Sequence, residues 1–184
     1  MIEIRKGTKC DIEPLIALMA SVRARMENKE WLSLDAPDEV RERMNNGTMS
    51  LWVAVDGERL AAAFDLLYPG LESFNYGYLL GLSQEELLKV VNMDTAVVHP
   101  AYRGLGLQKK LMHCAEKSFA ATEEHILLCT VHPDNVFSLN NVLSQGYSVE
   151  KTVPLYGSVR HILRKDIGYS VRGSCPAGIR KSKT

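Results

Sequence analysis

Residues 95–112, Thr-Ala-Val-Val-His-Pro-Ala-Tyr-Arg-Gly-Leu-Gly-Leu-Gln-Lys-Lys-Leu-Met, limit what this chain can become more than any other stretch. The β-branched run at 95–98 has the character of a buried strand. Pro100 and the Arg103-Gly104-Leu105-Gly106 turn stop it. Beyond Gly106, Leu107, Leu111, Ala115 and Phe119 recur on one face of a predicted amphipathic helix. A glycine-rich turn between strand and helix leaves backbone N–H groups free at the positive end of the helix dipole, a setting suited to phosphate.

The remaining elements follow from periodicity and punctuation. Residues 2–5 alternate as a first strand, and Thr8 or Asp11 can cap a helix carrying Ile12, Leu15, Ile16, Met19 and Val22 on one face. A polar connection with Trp31 leads to a helix over 37–45, with Pro37 at its first turn and Gly47 beyond its end. Residues 50–55 and 59–67 form a hairpin about Asp56-Gly57. An insert at 68–91 resists one reading: Phe74, Tyr76 and Tyr78 alternate, then Ser83 and Glu86 make a capping box before a short helix. Strands at 93–98 and 126–131 are joined through a helix, so they should be parallel neighbours, and both end in Val-His-Pro. A helix capped near Asn135 and two strands, 147–153 and 158–164, complete the domain. The order β-α-α-β-β-insert-β-α-β-α-β-β predicts an α/β (α+β) domain over 1–165, a mixed seven-stranded sheet flanked by helices, with a polar tail at 166–184. In such sheets ligands bind off the carboxyl ends of parallel strands, here beside the glycine turn.

Composition narrows the ligand. The 22 basic and 22 acidic side chains cancel, which excludes a general nucleic-acid binder. The 4 cysteines lack any Cys-x-x-Cys pair and read as reduced thiols of a cytoplasmic protein. No stretch approaches the roughly 18 apolar residues of a membrane helix, and the histidines lack metal spacing, so neither membrane nor metal is expected. A P-loop needs Gly-Lys-Ser/Thr, whereas Leu107 and Gln108 follow Gly106. A dinucleotide fingerprint needs a third glycine where Lys109 stands.

The element order, the Val-His-Pro before the turn, and Arg103-Gly104-Leu105-Gly106-Leu107-Gln108 resemble the GNAT superfamily of N-acetyltransferases, whose pattern is Gln/Arg-x-x-Gly-x-Gly/Ala. Gln108 departs from it at the last place. A second signature, Asn135, Ser138 and Gly146-Tyr147, resembles the family's Asn-x-x-Ala/Ser…Gly-Phe. The resemblance implies a mostly antiparallel sheet whose central parallel pair splays at the cofactor site. It implies acetyl-CoA as co-substrate, its pyrophosphate cradled by Arg103, Gly104, Leu105, Gly106, Leu107 and Gln108. It implies a pantetheine arm paired with the backbone of Ala96, Val97 and Val98, with Asn135 bonding the arm or capping its helix. The implied activity is transfer of an acetyl group to a primary amine of a small molecule or peptide, by direct attack in a ternary complex. The alternative is a non-catalytic coenzyme A or acyl-CoA-binding module. Many relatives dimerise, which makes a homodimer an expectation.

Such transfer needs an oxyanion donor, which the resemblance maps to the Val98 backbone, and carriers for protons. Here the chain departs from the family: Val142 stands where many members have a tyrosine acid, and Asn92 where some have a glutamate base. Asp94 shares a strand face with Asn92 and is a candidate base; Tyr147 and Tyr156 are candidate acids. Each has a plainer reading, a satisfied carboxylate or a packed ring. His99 and His132, each before a proline at a strand end, are candidate bases or simple turn residues. The aromatic insert either walls an acceptor pocket or extends the core.

Overall fold

A computed structural model describes residues 1–119 and 123–168. The strands β1 (Ile2–Lys6), β2 (Met49–Asp56), β3 (Arg59–Leu67), β4 (Val90–Val98), β5 (His125–Val131), β6 (Ser148–Leu155) and β7 (Ser158–Ile167) form one sheet in the order β1-β2-β3-β4-β5-β7-β6. Every neighbouring pair is antiparallel except β4 and β5. β7 runs past residue 165, and most of the polar tail lies outside the described residues.

The helices α1 (Ile12–Ala24) and α2 (Pro37–Asn46) cover one face; α5 (Leu107–Lys117) and α6 (Val136–Leu143) cover the other. Leu107, Leu111, Met112 and Ala115 of α5 pack on Phe64, Leu66, Val91 and Met93. Leu15, Leu18, Met19 and Val22 of α1 pack on Leu51, Val53 and Ala63. Thr8 and Asp11 together start α1, joined by a capping box. Gly47 takes φ 81° just past α2, a left-handed conformation that ends the helix without a Cβ clash.

The insert is not a strand, despite its alternating aromatics. It folds into turns and two short helices, α3 (Gly77–Leu80) and α4 (Gln84–Leu87), the second opened by the expected Ser83–Glu86 capping box. Buried Asn75 ties these turns together, donating to the carbonyls of Gly70 and Leu87 and accepting the Gly77 N–H. The aromatics then go separate ways: Tyr76 is buried on Val90, Ile126 and Leu128, Phe74 packs toward α1 and α2, and Tyr78 is exposed.

Two irregularities shape the middle of the sheet. The parallel β4–β5 pairing ends after three positions, Val90↔Ile126, Val91↔Leu127 and Asn92↔Leu128. Beyond them the two strands part. Between β3 and β4 the register jumps: Leu66 faces Met93 and Phe64 faces Ala96, so Asp94 and Thr95 together stand opposite Asp65. This bulge places one extra residue in β4 and changes its phase. Before it Val91 and Met93 face α5; after it Val97 faces α1 and α2, and Ala96 and Val98 pack toward α5.

Candidate active site

The splay exposes the edge of β4. His99 donates its N–H to the Ala61 carbonyl at 2.9 Å, while Val98 lies opposite Ala62. That makes Val98–Ala62 a non-hydrogen-bonded pair, so the Val98 N–H and C=O point away from β3. Alternation gives Ala96 the same direction, and Val97 instead bonds to Ala63 on β3. With β5 already diverged, Ala96 and Val98 present two sets of backbone donors and acceptors to the cleft. Of the three residues expected to pair with an extended arm, Val97 is thus turned the wrong way, its side chain buried against α1 and α2.

The glycine turn stands at the end of this edge. Gly104 and Gly106 have φ of 80° and 67°, and a Cβ at either would meet nothing within 4 Å. Both conformations favour glycine, and the space outside them is open. Gly106 precedes α5, and no side chain caps that helix. The first N–H groups of α5 are therefore available to an anion. Arg103 and Leu105 are exposed at the rim, and Leu107 is buried beneath it. The Gln108 side chain reaches to Ser138 Oγ at 3.4 Å, which carries it toward α6 and leaves its backbone at the turn. Asn135 caps α6 through its side-chain oxygen, which accepts the Ser138 N–H at 3.2 Å.

On the opposite side of β4 lies a cluster of acids and hydroxyls. Half-buried Asp94 accepts the Tyr76 hydroxyl at 2.5 Å on one oxygen and the Thr95 hydroxyl at 3.2 Å on the other. The Tyr76 and Tyr156 hydroxyl oxygens are 2.9 Å apart. Asp65, fully buried in the bulge, takes the Thr95 N–H at 3.0 Å, while its second oxygen has no partner. Burial raises the Asp94 carboxyl above the usual range against the pull of those hydroxyls. Burial, then the Asp94 charge, raises Asp65 well above it. Asp35, in the connection before α2, is pushed up to about 6 by burial and then by Asp94, although Arg43 contacts it. Asp35 also lines a cavity of 380 Å³ between α1, this connection and α2, with Ile16, Met19 and Leu34.

The other candidates lie elsewhere. Tyr147 is buried on the α5 face, where its hydroxyl donates to Glu116 at 2.9 Å. The residue after Gly146 enters the core beneath α5, so Tyr147 does not meet Asp94. Both Val-His-Pro histidines do turn chemistry: His99 Nδ1 accepts the Ala101 N–H at 3.2 Å, and His132 Nδ1 the Asp134 N–H at 3.1 Å. Asn92, in the place of the expected glutamate, donates to the Phe74 carbonyl at 2.9 Å and accepts the Tyr76 N–H, fastening the insert to β4. Val142 is core. Sequence reasoning missed Tyr76 as a site residue and Asp35 altogether; the aromatic run was the only signal for the first, and nothing local marked the second. Among the described residues no group of three or more His, Cys, Asp or Glu is placed to hold a metal ion, and no helix is long and apolar enough to cross a membrane.

Solved structures share this architecture. A GNAT-family acetyltransferase from Streptococcus agalactiae superposes with a TM-score of 0.69 at 19% identity, over 92% of this chain and 96% of its own. NAA60 from Arabidopsis thaliana, in complex with acetyl-CoA, gives 0.67 at 16% identity over 91% and 99%. YncA from Salmonella typhimurium, with its cofactor acetyl-CoA, gives 0.63 at 15% identity over 97% and 99%. The chain therefore has the GNAT acetyltransferase fold, as residues 103–108 and 135–147 led us to expect. No protein-family model matches the chain, and no curated protein matches it in sequence.

Proposed function

We propose that the chain is an acetyl-CoA-dependent N-acetyltransferase that acylates a primary amine directly in a ternary complex. The observation that carries this reading is the open β4 edge, with Ala96 and Val98 facing the splay in line with the uncapped start of α5. An extended amide-bearing arm can add to such an edge as a strand would. The pyrophosphate then falls at Gly104, Gly106, Leu107 and Gln108, with Arg103 as counter-charge and the Asn135 amide free to meet the arm. Bound acetyl-CoA supplies an activated acetyl thioester.

The oxyanion donor is better placed at Ala96 than at Val98. The bulge brings Ala96 within about 7 Å of Asp94 along the strand, and Val98 lies two residues, about 7 Å, further on. Only the nearer N–H lets one amine meet an oxyanion donor while staying beside the hydrogen-bonded hydroxyls that lead to the Asp94 carboxylate. Asp35, Asp65 and Asp94, whose charges act on one another, make the acceptor side attractive to a cationic amine once ionised. The cavity beside Asp35 offers room for its carbon skeleton.

Thiol release from acetyl-CoA, followed against spermidine, kanamycin, lysine and a short peptide, tests the reading. Turnover with at least one amine is expected, and Arg103→Ala weakens acetyl-CoA binding. Tight coenzyme binding with no thiol release on any amine points instead to the non-catalytic module, and unchanged affinity in Arg103→Ala removes the phosphate assignment.

A further inference from the structure

Asp94 does not meet the cleft directly. Its two oxygens are taken by the Tyr76 and Thr95 hydroxyls. What it does have is a continuous hydrogen-bonded line outward: from Asp94 to Tyr76, which is 5% exposed, and from Tyr76 to Tyr156, which is 50% exposed. The direction of this line is fixed. The Tyr76 proton is committed to the Asp94 carboxylate, so Tyr156 must donate to the Tyr76 oxygen. The Tyr156 oxygen is then left with acceptor capacity at the exposed end of the line.

Two further observations mark this as more than packing. Tyr156 is the only non-glycine among the described residues with positive φ, at 56°. With Gly157 at 74° it makes a two-residue turn between Leu155 and Ser158, a place where asparagine or glycine is the unstrained choice. The turn carries the Tyr156 hydroxyl, from a hairpin far along the chain, to Tyr76 of the insert. Arg160, buried, lies over that ring at 5.9 Å and donates to the carbonyls of Glu30 and Trp31, so the turn is braced from beneath.

We propose that Tyr156 and Tyr76 relay the acceptor amine's proton to Asp94, an inference that rests on the N-acetyltransferase reading above. Tyr156 is the catalytic residue, in contact with the amine; Tyr76 is a positioning residue that acts through it. The cationic amine first gives up its ammonium proton to solvent; as the neutral nitrogen then forms its bond to the acetyl carbon and the carbon–sulfur bond breaks, its second proton moves to the Tyr156 oxygen. The Tyr156 proton moves to Tyr76, and the Tyr76 proton to Asp94. The coenzyme leaves as thiolate, and Asp94 returns its proton to solvent along the same line. The groups facing Asp94 suit this. Burial favours a proton's arrival on Asp94, and Arg43 on the α2 side opposes it, with Asp35 and Asp65 the neighbouring carboxyls. Arg160 steadies negative character on the Tyr156 oxygen during transfer. Burial keeps the Tyr76 proton bound, so the hydroxyl exchanges one proton for another and no phenolate accumulates.

The test uses Tyr156→Phe, Tyr76→Phe and the double variant, with whichever of spermidine, kanamycin, lysine or the short peptide releases thiol fastest on the wild-type chain. Each single variant is expected to lose about 100-fold in kcat with acetyl-CoA affinity unchanged. The double variant is expected to be no slower than the slower single, because both changes break one line. The acidic limb of the kcat–pH profile, set by Asp94, disappears in all three. A double loss equal to the product of the singles overturns the relay, as does an acidic limb preserved in Tyr76→Phe. A wild-type chain that binds acetyl-CoA and turns over no amine overturns the N-acetyltransferase reading itself.

Discussion

Asp11→Asn probes the joint on which α1, and through it the connection carrying Asp35, is hung. Asp11 is 7% exposed and receives both guanidinium N–H groups of Arg5 at 2.8 Å, the Thr8 N–H at 2.7 Å and the Thr8 hydroxyl at 3.0 Å. The Arg5 bonds lead, and with those from Thr8 they outweigh burial, holding the carboxyl at about 2 against an ordinary 3.8. At about 1.36 kcal/mol per pH unit, that shift corresponds to about 2 kcal/mol. The Arg5 side chain is 37% exposed, so solvent screening brings the contribution down to about 1–2 kcal/mol. The folded value is depressed, so the stabilisation is present above 3.8 and is lost as pH falls toward 2. About half should remain at pH 3. Asparagine keeps the size and one acceptor oxygen but offers Arg5 no charge. Urea unfolding followed by Trp31 and Trp52 fluorescence should give the variant a deficit of about 1–2 kcal/mol at pH 7, or about 3–6 °C in Tm. The gap should narrow to about half at pH 3. A gap that stays undiminished at pH 3 would assign the loss to packing, and the absence of a gap at pH 7 would show that the pair contributes nothing.

Three further outcomes follow from the site. Gly106→Ala forces a side chain into φ 67° at a cost of about 1–2 kcal/mol, yet its Cβ meets no protein atom; coenzyme A affinity by calorimetry should fall more than the thermal stability does, and equal losses would remove the phosphate from that turn. Tyr156→Asn relieves strain of about 1–3 kcal/mol, so Tm should hold or rise while thiol release falls; a variant that is both less stable and fully active would contradict the role given to that turn. Arg160→Ala frees the Glu30 and Trp31 carbonyls, and the acceptor KM should rise with acetyl-CoA affinity unchanged, whereas the reverse pattern would place this arginine on the coenzyme side.

Much of the architecture is written in local chemistry. Pro37 and Gly47 bracket α2, Ser83 and Glu86 start α4, and the apolar run ending at Val131 is a central strand, each for reasons that act within a few residues. The turn at Gly104 and Gly106 was equally visible, since left-handed backbone is a property of one residue at a time. What stayed hidden depends on partners distant in the chain. Tyr76 looked like its neighbours Phe74 and Tyr78 because only the fold of the insert decides which aromatic faces Asp94. Tyr147 followed the expected glycine yet is claimed by Glu116, 31 residues away. The β4 bulge has no mark in its own sequence; it depends on Asp65 across the ladder to satisfy the Thr95 N–H.

That bulge makes β4 two strands in tandem, with odd residues facing α5 before it and even residues after it. Up to Asp94 the frame serves the insert; from Ala96 it serves the cleft. Substitutions can therefore drift in one half without rotating the other, so a new acceptor surface can be tried while the donor surface stays fixed. Deletion of a single residue at Thr95 is a different kind of change. It would remove the extra residue and leave one regular strand, with Met93 still opposite Leu66 and Ala96 still opposite Phe64, so Val97 would keep its α1 face while buried Asp65 would lose the Thr95 N–H that it accepts. What the extra residue secures is local: a donor for the buried Asp65 carboxylate between the half of the strand that meets the insert and the half that meets the cleft.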